Sequence, residues 1–225
     1  MSGKATATTS TCCLCAQIAG EWENDLLHDL LGPSDYKRRV SLESDRAAVI
    51  PSLGPLAPGH VLVCPKRHLR SVAAADELER EQIWAMAERT AKRLEAIFAA
   101  PVHRFEHGDA ERGDEISCSV EHAHLHLLPT AADPWPRIGR ELGWRQVASE
   151  DELPELVEGR EYLLYQAPGG VLQVHLPTQK VPSQLLRRRF AEAMGTSSTW
   201  NWRDLPLAQS AAATHEALAA SSAKG

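Results

Sequence analysis

The chain has 225 residues, 43% of them apolar and 24% charged, with 24 basic against 30 acidic side chains and a net charge of −6. That is the profile of a globular protein large enough to bury a real core, and the acidic balance argues against a nucleic-acid polymer as partner, since displacing counterions from phosphates needs a basic surface. No apolar run approaches the ~20 residues that span a bilayer, and the N-terminus has no hydrophobic stretch of the signal-peptide kind, so the expectation is a cytoplasmic protein with no membrane partner, whose five cysteines form no disulfide framework.

Residues 1–11 are rich in Ser, Thr and Ala, which predicts a disordered N-terminus. Residues 17–35 read as a short helical stretch ended by Gly32-Pro33. A strand is expected around Ala47–Ile50, then a shaped loop over Pro51–Gly59, too rich in Pro and Gly for regular structure, then a buried strand over Val61–Cys64 stopped by Pro65. Residues 76–100 carry the clearest helix signal. Asp76 and Glu79 have capping-box spacing, Ile83, Ala87, Thr90, Leu94, Ile97 and Phe98 form one stripe, and Pro101 ends it. Val102–Glu106 and residues 118–128 read as strands around a charged loop over 107–117, and residues 130–160 as loop. Glu161–Ala167 and Val171–Leu176 flank Pro168-Gly169-Gly170, a hairpin signal. Ser183–Met194 reads as a helix capped by Ser183 and terminated by Gly195. The order of elements predicts an α+β fold with an antiparallel sheet. The chain divides into a main domain over 12–130, an extension with hairpin and helix over 131–205 packed on the core, and a loose tail over 206–225.

The segment His122-Ala123-His124-Leu125-His126 concentrates three of the ten histidines. On a strand, alternation puts the three imidazoles on one face and Ala123, Leu125 and Leu127 on the other. Such a row admits three readings: a solvated strand face, a three-histidine metal site, or a division of labour in which one imidazole binds metal, one attacks phosphorus and one donates a hydrogen bond. Cys12-x-x-Cys15 is half of a tetrahedral zinc site. His68, just after the turn at Pro65-Lys66-Arg67, and one histidine of the strand could complete it.

Pro55-Leu-Ala-Pro-Gly-His60-Val-Leu-Val-Cys-Pro-Lys-Arg-His68 followed by His122-Ala-His124-Leu-His126-Leu-Leu-Pro129, with Cys12-x-x-Cys15 ahead of them, resembles the histidine triad superfamily of nucleotide hydrolases and transferases, in its zinc-containing bacterial branch. The resemblance covers about residues 12–130. It implies a structural Zn2+ on Cys12, Cys15, His68 and His122, with Cys13 as a poorly spaced competitor and Cys64 in the core. It implies His124 as the nucleophile on an α-phosphate, through a covalent nucleotidyl-histidine, and His126 as donor to a phosphate oxygen. Ser119 would contact the phosphate or leaving group, and His60 would support the site. The reaction implied is hydrolysis of a nucleotide-type ester, anhydride or phosphoramidate, or else transfer to phosphate or a sugar phosphate. A nucleotide-binding protein without turnover and a homodimer pairing through sheet and helix are further expectations of the resemblance.

The sequence also departs from the family. Ser52 stands near the position of an aspartate that binds ribose hydroxyls, Glu106 where many members have asparagine, and Cys118 where glutamine is usual. Glu106 is read as an acid/base group or a ligand for a polar substrate. The C-terminal segment offers Gln184, Arg187 and Arg188 at a helix start, and Trp200 and Trp202, as groups that could rebuild the pocket. A solvated helix face for the arginines, and packing of the tryptophans on the core, are the plainer alternatives.

Overall fold

The computed structural model describes residues 12–21, 39–110, 120–139 and 142–222. Helix α1 (Cys13–Ala19) comes first, closed by Gly20 in the left-handed conformation at φ 77°, so the helix expected over 17–35 starts earlier and is broken at Gly20; residues 22–35 and the expected disordered N-terminus lie outside the described residues. Strands β1 (Leu42–Glu43), β2 (Ala47–Pro51) and β3 (Val61–Pro65) follow. The long helix α2 (Glu77–Phe98) starts as its sequence dictates. The Asp76 side chain accepts from the Glu79 amide, the Glu79 side chain accepts from the Asp76 amide, and two of the helix's orphan donors are satisfied. Next come β4 (Val102–Gly108), β5 (Leu125–Pro129), α3 (Trp135–Ile138), β6 (Trp144–Val147), α4 (Leu153–Val157), β7 (Tyr162–Gln166), β8 (Leu172–His175), α5 (Leu185–Ala193) and α6 (Ala208–Ser222). The expected α+β class is what the chain adopts. None of the described helices is long and apolar enough to cross a membrane.

All eight strands join one antiparallel sheet in the order β1-β2-β3-β5-β4-β7-β8-β6. Alternation sorts each strand between two faces. Val49, Val63, Leu125 and Leu127 meet Ile83, Ala87 and Leu94 of α2 in the main core. Ile50, Leu62 and Cys64 face α1 through Leu14 and Ile18, while Phe105, Leu128 and Tyr165 face α5 through Phe190. The second face, between α1 and α5, carries the site.

Several expectations change. The strand read over 118–128 begins only at Leu125: Val120 to His122 form a bend, and residues 111–119 lie outside the described residues. Three histidines therefore do not line one strand. The region 130–160 holds α3, β6 and α4, not a loop. Helix α5 is preceded by Gln184, in left-handed conformation at φ 60°, and not by a Ser183 cap. The tail expected to be loose over 206–225 forms α6, which buries Ala211, Thr214 and Leu218 against α2 and β2. Its small side chains allow that close approach. The hairpin is as expected, but β7 adds to the outer edge of β4 over five residue pairs. That edge is thus filled from within the chain, and a homodimer joined through the sheet would have to use another.

Candidate active site and metal centre

Two clusters lie side by side on the second face. In the first, Cys12 Sγ is 3.5 Å from His122 Nδ1, and Cys15 Sγ is 3.4 Å from His122 Nδ1 and 3.3 Å from His68 Nδ1. The four donor atoms lie within 4.8 Å of one another. The His122 Nε2–H donates to the Pro65 carbonyl at 2.9 Å, which leaves the Nδ1 lone pair toward the sulfurs. Burial pushes His122 down to about 4, so the ring is neutral, as a ligand must be. Tetrahedral zinc, with Zn–S at about 2.3 Å and Zn–N at about 2.0 Å, sets S···N edges of about 3.5 Å, so the donor set fits. Cys13 is not part of this group; it lines the neighbouring cavity. Cys64 is in the core, as expected.

The second cluster is a chain of imidazoles whose tautomers follow from their partners. The Leu56 amide donates to His60 Nδ1 at 3.2 Å, so the His60 proton sits on Nε2 and is donated to His126 Nδ1 at 3.0 Å. His126 thus keeps a proton on Nε2. Phe105 stacks on the His126 ring at 4.3 Å between centroids, with planes 9° apart, and fixes its plane. The His124 Nδ1–H donates to the His122 carbonyl at 2.6 Å, which leaves the Nε2 lone pair free. The His124 and His126 rings meet edge-on, 4.9 Å apart, and both line the cavity. Burial lowers both histidines and His60 below the usual imidazole range, with the Arg187 charge acting in the same sense. All three imidazoles are therefore neutral near pH 7, and His124 offers a nucleophilic nitrogen without first losing a proton.

The family profile described as the HIT domain matches residues 34–133. The chain carries a HIT domain. A bis(5'-adenosyl)-triphosphatase of Dictyostelium discoideum is 35% identical over 78 residues, which is 35% of this chain and 50% of that protein. The bifunctional bis(5'-adenosyl)-triphosphatase/adenylylsulfatase FHIT of Arabidopsis thaliana is 29% identical over 92 residues, 41% of this chain and 49% of that protein. The chain spans about half the length of these curated relatives. Among solved structures, a Zn-bound histidine triad family protein from Mycobacterium smegmatis superposes with a TM-score of 0.39 at 22% identity, covering 64% of this chain and 88% of that one.

The structure brings His68 and His122 of the HIT domain together with Cys12 and Cys15, which precede it, in one cluster, and His60, His124 and His126 in the other. Ser119 and Cys118 lie outside the described residues. Glu106 is not in the cavity. On β4 it points to the α2 face, where its carboxylate accepts from the Val72 amide at 2.8 Å and from the Tyr162 hydroxyl at 2.5 Å. An acid/base or ligand role for Glu106 is therefore set aside. Its neighbours Phe105 and His107 line the cavity instead, and strict alternation along β4 was the signal that separates them.

Beyond the HIT domain, α5 closes the cavity. Arg187 is 4% exposed and lines it, together with Gln184 and Trp202. The three consecutive arginines are thus not one solvated face: Arg187 turns inward, while Arg188 and Arg189 pair with Glu192. Trp200 packs in the cluster around Phe190, as the plainer alternative has it. Arg39 and Gln17, both buried, line the cavity too; neither carries a local sequence signal, because what marks them is the cavity they share with residues distant in the chain.

Proposed function

We propose that this protein hydrolyses nucleotide-type phosphoesters, phosphoanhydrides or phosphoramidates, with His124 attacking the α-phosphorus. The observation that carries the reading is the pair of fixed tautomers: an unprotonated Nε2 on His124 beside a protonated Nε2 on His126, both at one cavity. The HIT-domain match and the likeness to bis(5'-adenosyl)-triphosphatases support it.

In the first step the His124 Nε2 lone pair forms a P–N bond, while the bond from phosphorus to the leaving oxygen or nitrogen breaks and its electron pair departs with the leaving group. The Nδ1–H, held on the His122 carbonyl, stays in place and steadies the positive charge that the ring acquires. His126 Nε2–H donates to a non-bridging oxygen as charge moves onto it. His60 and the Leu56 amide hold that donor ready, so no proton has to be rearranged during the step. In the second step water attacks phosphorus, the P–N bond breaks and its electron pair returns to Nε2, restoring neutral His124, while the proton released by the water passes through solvent to the departed group.

Cys12, Cys15, His68 and His122 are read as the ligands of a structural zinc ion, a closed four-ligand site. Bound there, it would cross-link α1 to the bend that carries His122, whose carbonyl orients His124. The chain's own contribution is the Pro65 carbonyl that fixes the His122 ring.

The test is His124→Ala assayed on dinucleoside polyphosphates, nucleoside phosphoramidates and nucleotide sugars, with and without phosphate or a sugar phosphate as acceptor. Loss of turnover with an unchanged thermal transition is expected, and mass spectrometry of the quenched wild-type protein should find the nucleotidyl adduct on His124. Turnover by the variant at the wild-type rate refutes the assignment. Products that appear only with acceptor make the protein a transferase.

A further inference from the structure

Arg187 is the unusual group of the cavity. Its Nε–H donates to the Trp200 carbonyl at 3.1 Å, Nη2–H to the Gly54 carbonyl at 2.5 Å and Nη1–H to Ser52 Oγ at 3.4 Å. All three partners are neutral, and among the described residues no carboxylate reaches the guanidinium. Every other arginine of α5 has its acid. Burial draws Arg187 down only to about 10, so it remains a cation near pH 7. A buried cation without an anion is costly, and three neutral oxygens do not discharge it.

The described lining of the cavity holds a second buried arginine, Arg39, and no aspartate or glutamate. Two amide oxygens there, Gln184 Oε1 and Gln17 Oε1, are buried without a hydrogen-bond partner. Among the described residues the cavity thus offers no anion at Arg187 and no N–H or O–H donor at Gln184 Oε1 and Gln17 Oε1. A nucleotide carries both kinds of group.

We infer that the segment beyond the HIT domain completes the substrate site, with Arg187 binding a phosphate-type oxygen of the ligand and Gln184 accepting from a hydroxyl or amine of its nucleoside part. The identity of the ligand rests on the proposed function; the anion site itself does not. Arg187 also ties Trp200 to the loop at Ser52–Gly54, so one side chain both anchors α5 and faces the ligand. Arg187, His124 and His126 line the same cavity, which puts the guanidinium on the phosphate side of the proposed site.

The experiment is calorimetric titration of the full chain and its Arg187→Met variant with adenosine, adenosine 5'-phosphate, adenosine 3',5'-bisphosphate and inorganic pyrophosphate. Losing a charged hydrogen bond to phosphate should weaken the anionic probes by about tenfold or more and leave adenosine unchanged. An equal loss for the mono- and bisphosphate assigns Arg187 to the 5'-phosphate, beside His124. A larger loss for the bisphosphate assigns it to a second phosphate. If Arg187→Met does not fold, Arg187→Lys decides by the same comparison, since lysine keeps the charge and loses the fork. Equal weakening of adenosine and the phosphates would make Arg187 a structural tie and overturn the inference, as would unchanged affinity for all anions or no anion binding by the wild type. Pyrophosphate binding that depends on Arg187, with no binding of either nucleotide, would sink the nucleotide reading and leave the anion site standing.

Discussion

Glu106 offers the sharpest quantitative test of the fold around the site. Its carboxyl is 1% exposed, and burial raises it from 4.5 to about 7, with the Tyr162 hydroxyl and the Val72 amide pulling the other way. The fold thus favours the protonated acid. Its contribution to stability is complete below pH 4.5 and is lost as the pH rises through about 7. A displacement of that size corresponds to about 3 kcal/mol, or about 6–12 °C in the thermal transition of a chain this long. Glu106→Gln keeps the shape and an acceptor for Val72 but cannot ionise. Its stability minus that of the wild type should therefore rise by about 2.5 kcal/mol between pH 5 and pH 8.5. Denaturant unfolding of both proteins at several pH values measures this directly, because every other titrating group cancels in the difference. A difference that stays flat with pH would refute the reasoning, and one that falls with pH would mean that Glu106 is held as a carboxylate.

Three further outcomes are expected. His60→Ala removes the donor to His126 Nδ1 and should lower kcat by about tenfold or more with KM little changed; a change confined to KM would mean that His60 acts on binding and not on the tautomer of His126. Cys15→Ala should reduce metal from about one ion per chain to almost none, by elemental analysis, with a lower thermal transition, and unchanged metal content would mean a different ligand set. Leu218→Ala should cost about 2–5 kcal/mol in denaturant unfolding, whereas a loose tail would lose less than about 0.5 kcal/mol.

Local chemistry was the most legible part. The Asp76–Glu79 box and the Pro101 stop define α2 because both act within a turn of the backbone they terminate, and Pro168-Gly169-Gly170 announces its hairpin for the same reason. Residue type alone pointed to half a metal site, Cys12-x-x-Cys15; His68 and His122 came with the family resemblance, and the fold brings the four side chains together. The histidine row departs from the alternation pattern because alternation holds only on a strand, and here the strand starts at Leu125. The bend before it lets His122 turn to the sulfurs while His124 faces the cavity. Helix α6 has no clear sequence signature, since a run of Ala and Ser resembles a tail, yet its small side chains let it lie close to β2. There Thr214 Oγ accepts from the Gly59 amide at 3.2 Å. Arg187 was ambiguous in sequence because three arginines in a row span some 200° of a helix, so one could turn inward, and only α5 packing on Phe105 decides which.

The β4–β7 pairing has a practical consequence for anyone trimming the chain to its family-sized half. A fragment ending near residue 130 would bare five residues of β4 as an unguarded hydrogen-bonding edge, the kind of border along which strangers zip together. It would also lose the roof over the histidines. Such a shortened piece would be a poor surrogate, prone to cling to copies of itself and silent on the chemistry of the whole.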